Sequence, residues 1–342
     1  MSDQSKVSRR RFLKVVGAVG VAGASSSLPA FAVSALVSYV WEGEALGSDV
    51  TIEVYGSSVE QAKQHAEKAA REIKRLEAMF SLYDASSELS RLNGAGALER
   101  PSPEFVELMH FSKEMTLLSN GAFDVTVQPL WQLYHDHFTQ ERAPAQGPDE
   151  QAVLETLKLV GSHQIEVTDQ RVAYGKTGMA VTLNGVGQGF IADKVAAVMR
   201  EAGVRHVLVN TGELVALGPK ADKTPWRVGI LNPKNPFQVG YTVGLADLAL
   251  ATSGAYGFEF DQEGRHHHLL DPRTGKSARE NLSVSVSAPS AALADALSTS
   301  FSILPLSEIE RLMQRYDRVG ALVTRLDGTT VRLGAFPVNL EG

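Results

Sequence analysis

The stretch Leu183-Asn184-Gly185-Val186-Gly187-Gln188-Gly189-Phe190 joins a predicted strand, residues 180–183, to a predicted helix, residues 190–202. Three glycines allow the backbone to approach a ligand closely, and the start of a helix offers unpaired N–H groups to an anion. The spacing differs from the dinucleotide-binding and P-loop fingerprints. A tight strand-to-helix turn that binds nothing explains the same residues, so the motif alone leaves both readings open.

Outward from this turn, apolar strand-like runs dominate the second half of the chain. They cover residues 165–167, 172–174, 180–183, 207–209, 226–231, 241–246, 266–270 and 282–288. Helices are predicted at about residues 58–80, 103–119, 190–202, 290–301 and 307–315, and polar loops at 81–93 and 135–150. The strands do not alternate regularly with helices, as a doubly wound sheet requires. The predicted class is therefore α+β, with mixed or mostly antiparallel sheets and flanking helices.

Composition narrows the functional classes. The 342 residues are 44% hydrophobic and 21% charged and include no Cys, which excludes disulfides, thiolate metal sites and a cysteine nucleophile. The net charge is −6, yet residues 1–32 hold five of the 33 basic residues and only one of the 39 acidic ones. The remainder is therefore strongly acidic, which argues against nucleic acid as a partner.

The first 32 residues have the order of an export signal. Arginines occupy positions 9–11, followed by a mildly apolar run at 15–28 and by Ala30-Phe31-Ala32, small residues of the kind that precede signal cleavage. The run is too short to span a bilayer core of ~30 Å. Paired arginines followed by Phe-Leu-Lys indicate a twin-arginine signal, and a basic tail beside an apolar helix is the alternative. We expect a signal peptide at 1–32, one domain at 33–342 and a periplasmic location.

A predicted helix carries a candidate metal pair. Asp295 and Thr299 lie four residues apart, so both side chains project from one helix face about one turn apart. A carboxylate and a hydroxyl in this arrangement suit Mg²⁺, which prefers oxygen ligands and takes few from protein. An acidic residue that merely stabilises the helix start is the alternative.

A second group of candidates surrounds three consecutive histidines. Residues 266–275, His-His-His-Leu-Leu-Asp-Pro-Arg-Thr-Gly, are predicted to form a strand that runs into a turn, where His268 or Arg273 could face a phosphate. Strand alternation places only His266 and His268 on one side, and no third ligand is evident for zinc. Just upstream, residues 252–256 form a small-residue turn against which a ring or a phosphate could lie.

Taken together and in order, these segments resemble the ApbE family of FAD:protein FMN transferases. The matching segments are residues 81–84 (SLYD), 87–93 (SELSRLN), 121–130 (GAFDVTVQPL), the glycine turn, 251–254 (ATSG), 268–275 (HLLDPRTG) and 294–299 (ADALST). The resemblance extends from about residue 47 to 305. It implies an enzyme that binds FAD with Mg²⁺, moves FMN onto a Thr or Ser hydroxyl of a client flavoprotein, and releases AMP.

The resemblance also implies roles for individual residues. Asp295, Thr299 and the backbone carbonyl of Gly185 match the metal ligands of the family, and His268 matches a histidine that could activate the client hydroxyl. The positions that match the FAD lining are Leu46, Tyr83, Ala122, Phe123, Asp124, Thr182, Gln188 and Leu270. Asp124 is the second candidate for the base.

Three departures from the family pattern bear on activity. Thr182 stands where the family commonly has Asp, and Gln188 where it has Lys or Glu. Residues 210–213, Asn-Thr-Gly-Glu, replace a segment that usually contains two adjacent glycines. These changes could tune affinity, specialise the enzyme for one client or mark a binder that no longer transfers.

Three functions therefore compete. The first is flavin transfer to a client, expected to be a membrane-associated respiratory flavoprotein. The second is an FAD pyrophosphatase that yields FMN and AMP, with water in place of the client hydroxyl. The third is a periplasmic protein that binds or delivers flavin without turnover.

Overall fold

The structure is a computed structural model that describes residues 13–15, 36–45 and 47–339. Most of the predicted signal peptide lies outside the described residues, as does Leu46, one of the predicted flavin-binding positions. In the described part of the chain, no helix combines the length and the apolar character that crossing a membrane demands.

Helices and strands alternate irregularly along the chain. The helices are α1 (Val59–Phe80), α2 (Glu88–Ala95), α3 (Pro103–Leu118), α4 (Gln128–Phe138), α5 (Glu150–Leu157), α6 (Gly187–Glu201), α7 (Ala291–Ile303) and α8 (Leu306–Met313). The strands are β1 (Leu13–Val15), β2 (Val37–Ala45), β3 (Ser48–Gly56), β4 (Ala97–Glu99), β5 (Ile165–Val167), β6 (Arg171–Tyr174), β7 (Val207–Asn210), β8 (Leu214–Leu217), β9 (Trp226–Asn232), β10 (Asn235–Leu245), β11 (Leu248–Gly254), β12 (Asn281–Ala288), β13 (Gly320–Arg325), β14 (Thr330–Gly334) and β15 (Val338–Asn339).

Local sequence explains where the long helices begin. Ser58 caps α1 by accepting a hydrogen bond of 3.2 Å from the backbone N–H of Gln61. Ser102 caps α3 in the same way, and Pro103 occupies a first-turn position where no N–H is needed. The buried side of α1 is lined largely by alanines, which allow the helix to lie close to the sheet.

The central sheet has eight strands in the order β14-β13-β12-β11-β8-β7-β3-β2, and every neighbouring pair is antiparallel. Helix α1 packs on β2 and β3, α7 packs on β11 and β12, and α6 lies between the two helices. Alternation along β7 divides its side chains between the faces: Val207 and Val209 join the main core under the helices, and Leu208 joins a second core. The α+β class with antiparallel sheets is confirmed.

The second core lies between the central sheet and a four-stranded antiparallel sheet, β1-β9-β10-β15. Trp226 is its largest fully buried side chain. The edge strand β1 falls within the predicted signal peptide and pairs with β9. A third, three-stranded sheet, β4-β6-β5, completes the fold.

Four local predictions are wrong. Residues 180–183 form no strand, because Val181 and Thr182 donate their N–H groups to the Asn93 side chain and to the Val125 carbonyl instead of to a neighbouring strand. Residues 266–270 make only two isolated bridges, Glu259 to His267 and Leu270 to Ser277. The predicted loop at 81–93 contains most of α2, and the one at 135–150 begins inside α4.

Candidate active site

A cavity of about 870 Å³, its solvent-filled mouth included, lies where the N-terminal end of α6, the helix α7 and the segment after α3 meet. Nine of the twelve predicted site residues line it. They are Ala122, Phe123, Asp124, Thr182, Gly185, His268, Leu270, Asp295 and Thr299. Since these residues come from four separate segments of the chain, the fold brings together most of the site that the sequence predicts.

The candidate metal ligands meet on one side of the cavity. The side chain of Asp295 is almost fully buried, at 2% exposure, and lies one turn of α7 before Thr299. A Cβ atom built on Gly185 would lie 3.0 Å from the Thr299 hydroxyl oxygen, so the Gly185 backbone and this hydroxyl are close neighbours. Ser253 Oγ lies 3.4 Å from the same hydroxyl and 2.9 Å from Ser298 Oγ.

The glycine turn serves helix packing as well as ligand approach. A Cβ atom on Gly189 would lie 2.3 Å from the Ala291 carbonyl oxygen, so only glycine allows α6 to cross the start of α7 this closely. A Cβ on Gly187 would meet only the Leu183 side chain, at an ordinary 3.5 Å. The carboxylate of Asp193 then fixes the crossing by accepting hydrogen bonds from the N–H groups of Ala291 and Ala292, at 2.8 and 2.9 Å.

His268 reaches the cavity from a short hairpin that packs on α4. Its backbone N–H and its ring Nδ1 both lie close to the carbonyl oxygen of Phe258, at 3.0 and 3.1 Å. A carbonyl oxygen can only accept, so in the neutral ring Nδ1 carries the proton and Nε2 is the basic nitrogen. The hairpin thus sets the tautomer that a general base requires.

The other two histidines of the run do not join the site. His266 contacts the rings of Tyr134 and Phe138 on α4. His267 is buried, and its Nε2 lies 2.8 Å from the Ala278 carbonyl oxygen. Burial lowers the pKa of His267, which keeps the ring neutral. Among the described residues, no group of three or more His, Asp or Glu side chains could hold a metal ion.

Asp124 is committed to local structure. Its Oδ1 accepts hydrogen bonds from the N–H and the hydroxyl of Thr126, at 2.9 and 2.6 Å, and its Oδ2 accepts one of 2.9 Å from the N–H of Ser162. A carboxylate that holds a turn through three hydrogen bonds is a poor candidate for the base. Arg273, which the sequence analysis offered as a possible phosphate contact, makes an ion pair of 2.9 Å with Asp271 and does not line the cavity.

Three predicted flavin-binding residues are not in the described lining. Leu46 lies outside the described residues, and Tyr83 is 81% exposed on the loop after α1. Gln188 is buried behind the glycine turn, where its amide nitrogen donates a hydrogen bond of 3.3 Å to Ser48 Oγ. Gly212 has a φ of +104°, a conformation that residues with a side chain rarely adopt, so the atypical segment 210–213 requires a glycine there. Flavin binding by these three residues stays a prediction.

Among the lining residues to which the sequence analysis gave no role in the site are Glu213 and Trp131. Glu213, 4% exposed, accepts a hydrogen bond of 3.2 Å from the backbone N–H of Thr252, which joins the ends of β8 and β11. Trp131 lines the cavity from α4. The sequence signal for Trp131 is that it directly follows the 121–130 motif. It also belongs to a run of aromatic residues, however, and such a run is equally typical of a buried core.

The charged side chains in the described lining of the cavity are acidic. Its described lining contains the carboxylates of Asp124, Glu213 and Asp295 and no lysine or arginine. A pyrophosphate entering this cavity would meet like charge unless a cation offsets it. Asp295, Thr299 and the Gly185 carbonyl supply hard oxygen donors of the kind that Mg²⁺ prefers, so the residues present fit this ion.

Comparison with known proteins agrees with this geometry. The sequence model of the ApbE family matches residues 46–323. The FAD:protein FMN transferase of Escherichia coli (strain K12) is 27% identical over 296 residues, which cover 84% of either chain. The transferase of the same name from Treponema pallidum is 31% identical over 223 residues, which cover 60% of either chain.

Solved structures show the same fold. The ApbE protein of Thermotoga maritima superimposes with a TM-score of 0.77 at 28% identity, covering 86% of this chain and 97% of that one. The flavin transferase ApbE of Vibrio cholerae, at 22% identity, gives a TM-score of 0.74 and covers 88% and 98% of the two chains, a likeness of fold alone. From the family match and the shared fold we conclude that the chain belongs to the ApbE family.

Proposed function

We propose that the protein is a Mg²⁺-dependent FAD:protein FMN transferase, which moves FMN from FAD onto a Thr or Ser hydroxyl of a client protein and releases AMP. The observation that carries the proposal is the meeting of Asp295, Thr299 and His268 in one cavity although the chain separates them. The name shared by the curated relatives supports the same reaction.

Each group then has a distinct task. The client hydroxyl oxygen attacks the FMN phosphorus while the bond from that phosphorus to the AMP oxygen breaks, and His268 Nε2 takes the hydroxyl proton. Asp295, Thr299 and the Gly185 carbonyl would hold Mg²⁺, which supplies charge neutralisation at the phosphate oxygens. The Asp124 side chain holds the buried turn of residues 124–126 at the cavity wall through two hydrogen bonds with Thr126.

The proposal includes the site of action. Residues 9–32 begin with three arginines, continue with an apolar run and end in small residues. This order supports export by the twin-arginine route and a periplasmic location. A periplasmic transferase would meet clients at the outer face of the inner membrane, so we propose a membrane-associated respiratory flavoprotein as the client.

The departure at Gln188 bears on the alternative of a binder without turnover. Gln188 lies behind the turn rather than in the described lining, so its neutral side chain removes no charge from the cavity wall. Thr182 does line the cavity. The candidate metal ligands and the candidate base His268 line it as well, although position 182 carries no carboxylate. We therefore favour an active enzyme.

The deciding experiment combines the protein, FAD, Mg²⁺ and a candidate client. We expect the client mass to rise by one FMN and AMP to accumulate in equal amount, with both changes abolished by EDTA. Release of FMN and AMP without modification of any client would favour the pyrophosphatase. Binding of FAD with release of neither product would favour the delivery protein.

A further inference from the structure

The segment that carries His268, residues 266–270, lies between two neighbouring segments. On one side, the N–H of His268 donates to the Phe258 carbonyl at 3.0 Å. On the other side lie residues 276–278, which return antiparallel to the segment after the turn at 271–275. The segment makes isolated bridges rather than a continuous ladder, so single side-chain contacts have a larger share in holding it.

The hydroxyl of Ser277 makes such a contact with the residue before His268. Ser277 Oγ accepts a hydrogen bond of 2.9 Å from the His267 N–H and donates one of 2.9 Å to the His267 carbonyl. One hydroxyl can do both, because it carries a proton and two lone pairs. Ser277 is 9% exposed and His267 4% exposed, so loss of the hydroxyl would leave both backbone groups without this partner in a buried place.

The return segment that carries Ser277 is itself fixed. The N–H of Ala278 donates to the Leu269 carbonyl at 2.8 Å, and the Lys276 carbonyl accepts a bond of 2.8 Å from the Asp271 N–H. Ser277 lies between these two backbone bonds. Its hydroxyl is therefore held in a set position against the opposite backbone.

The placement of His267 bears directly on the imidazole of the next residue. The Nδ1 atom of His268 lies 3.1 Å from the Phe258 carbonyl oxygen, and this contact selects the tautomer with a basic Nε2. Hydrogen bonds weaken steeply with poor distance and angle, so the contact requires the backbone at 267–268 to stay in place. A misplacement of about 1 Å can lower a rate by ~10²-fold.

We propose that Ser277 is a positioning residue for His268: its hydroxyl holds the backbone of His267, so that the His268 imidazole keeps its contact with the Phe258 carbonyl and its basic Nε2. The inference rests on the proposed function, which assigns His268 the role of the base. Ser277 is not in the described lining of the cavity, so it acts through His268 rather than on FAD.

The test compares the full-length wild type with Ser277→Ala and with Ser277→Thr, which keeps the hydroxyl. Nitrogen NMR of isotope-labelled histidine reports the tautomer, and the signal missing from His268→Gln identifies His268. Transfer to the client gives kcat and the KM for FAD. Ser112→Ala is the matched control, because Ser112 is fully buried on α3 and its Oγ donates to the Leu108 carbonyl at 2.7 Å.

In Ser277→Ala we expect the Nδ1–H tautomer of His268 to lose its dominance and kcat to fall about tenfold, with the KM for FAD unchanged. Ser277→Thr should restore both readouts, and Ser112→Ala should change neither. A Ser277→Ala protein with wild-type tautomer and kcat, even at a lower melting temperature, would overturn the inference. Equal losses of kcat in Ser277→Ala and Ser277→Thr would also overturn it. Should Ser277→Ala fail to fold, Ser277→Cys, whose thiol is a weak donor and acceptor, takes its place.

The inference and the proposed function fail separately. If the wild type transfers no FMN, the transferase is contradicted, and the tautomer measurement still decides whether Ser277 positions His268. If Ser277→Ala transfers FMN as fast as the wild type, only the role of Ser277 is contradicted.

Discussion

The backbone N–H of Gly189 donates a hydrogen bond of 3.2 Å to the Oδ2 atom of Asp295. The bond connects the first turn of α6 to the middle of α7, two helices that also pack against each other. It fixes the orientation of a buried carboxylate at the cavity wall. The glycine turn therefore contributes to the candidate metal site through a residue that itself binds no metal.

Removing the Asp295 carboxylate should abolish transfer. Asp295→Ala takes away the charged ligand of the candidate Mg²⁺ site together with the buried acceptor of the Gly189 N–H, so circular dichroism must first show that the variant is folded, and Asp295→Asn, which keeps an oxygen acceptor, is the matched control. Thr299→Val removes one neutral oxygen and should raise the Mg²⁺ requirement less severely. Calorimetric Mg²⁺ titration with FAD present, together with client mass spectrometry, measures both. Normal transfer by Asp295→Ala at limiting Mg²⁺ would contradict the assignment.

Removing the His268 imidazole should separate chemistry from binding. His268→Ala should bind FAD and lose transfer by ~10²–10⁴-fold, the usual contribution of a general base. Single-turnover assays measure the rate, and equilibrium titration measures FAD binding. Asp124→Asn is the comparison: because Asp124 holds a turn, we expect that variant to lower the melting temperature more than the transfer rate. A rate loss below about threefold in His268→Ala would assign the imidazole a structural role.

The two glycines at the start of α6 should respond differently to alanine. Gly189→Ala places a methyl group against the Ala291 carbonyl and should destabilise the fold by ~1–3 kcal/mol, the typical cost of overpacking. Gly187→Ala meets only an ordinary contact with Leu183 and should leave stability nearly unchanged. Urea unfolding of the two variants measures the difference. Equal stability of the two variants would show that α6 and α7 can move apart.

Placing a carboxylate at position 182 should test the effect of charge in the cavity. Thr182→Asp adds a fourth carboxylate to the described lining, so we expect weaker FAD binding at limiting Mg²⁺ and recovery when Mg²⁺ is raised. Thr182→Asn, similar in shape and neutral, is the control and should show no such Mg²⁺ dependence. Identical Mg²⁺ curves for the two variants would mean that position 182 does not face the phosphates.

The buried His267 should make stability depend on pH. Its pKa is lowered in the folded state by burial, so below about pH 6.5 the unfolded chain binds a proton that the folded chain does not. Stability should therefore decrease as pH falls below that value, by up to ~1.4 kcal/mol per pH unit, until the folded-state pKa is reached.

Thermal unfolding at about pH 7.5 and about pH 5 tests this expectation against His267→Gln, which keeps a donor for the Ala278 carbonyl but cannot titrate. The variant should lose less stability on acidification than the wild type. His266→Gln is the control, since His266 is only partly buried and should have a smaller effect. If the wild type and His267→Gln lost equal stability on acidification, His267 would be excluded as the cause of the pH dependence.

Much of the fold could be predicted because its signals are local. The cap Ser58 and the alanine face of α1, and the serine and proline that begin α3, depend on neighbours within a few residues. The strands at 165–167 and 226–231 were predicted correctly for the same reason, since a short apolar run is a local signal of a buried strand. Residues 180–183 look equally strand-like, yet their partners, Asn93 and Val125, are distant in sequence.

The sequence by itself determined the residue types of the site: the Asp295 and Thr299 pair follows from helical spacing, and the family motifs point to His268 and Gly185. Tertiary structure decided how these residues are used. Gly189 is needed for the crossing of α6 over α7, Asp124 is occupied by Thr126 and Ser162, and Trp131 faces the cavity rather than only the core. The physical reason is how far apart in the sequence the interacting residues lie. Spacing along one helix or strand fixes which side chains share a face, whereas close approach, hydrogen-bond competition and cavity lining arise only when distant segments pack together.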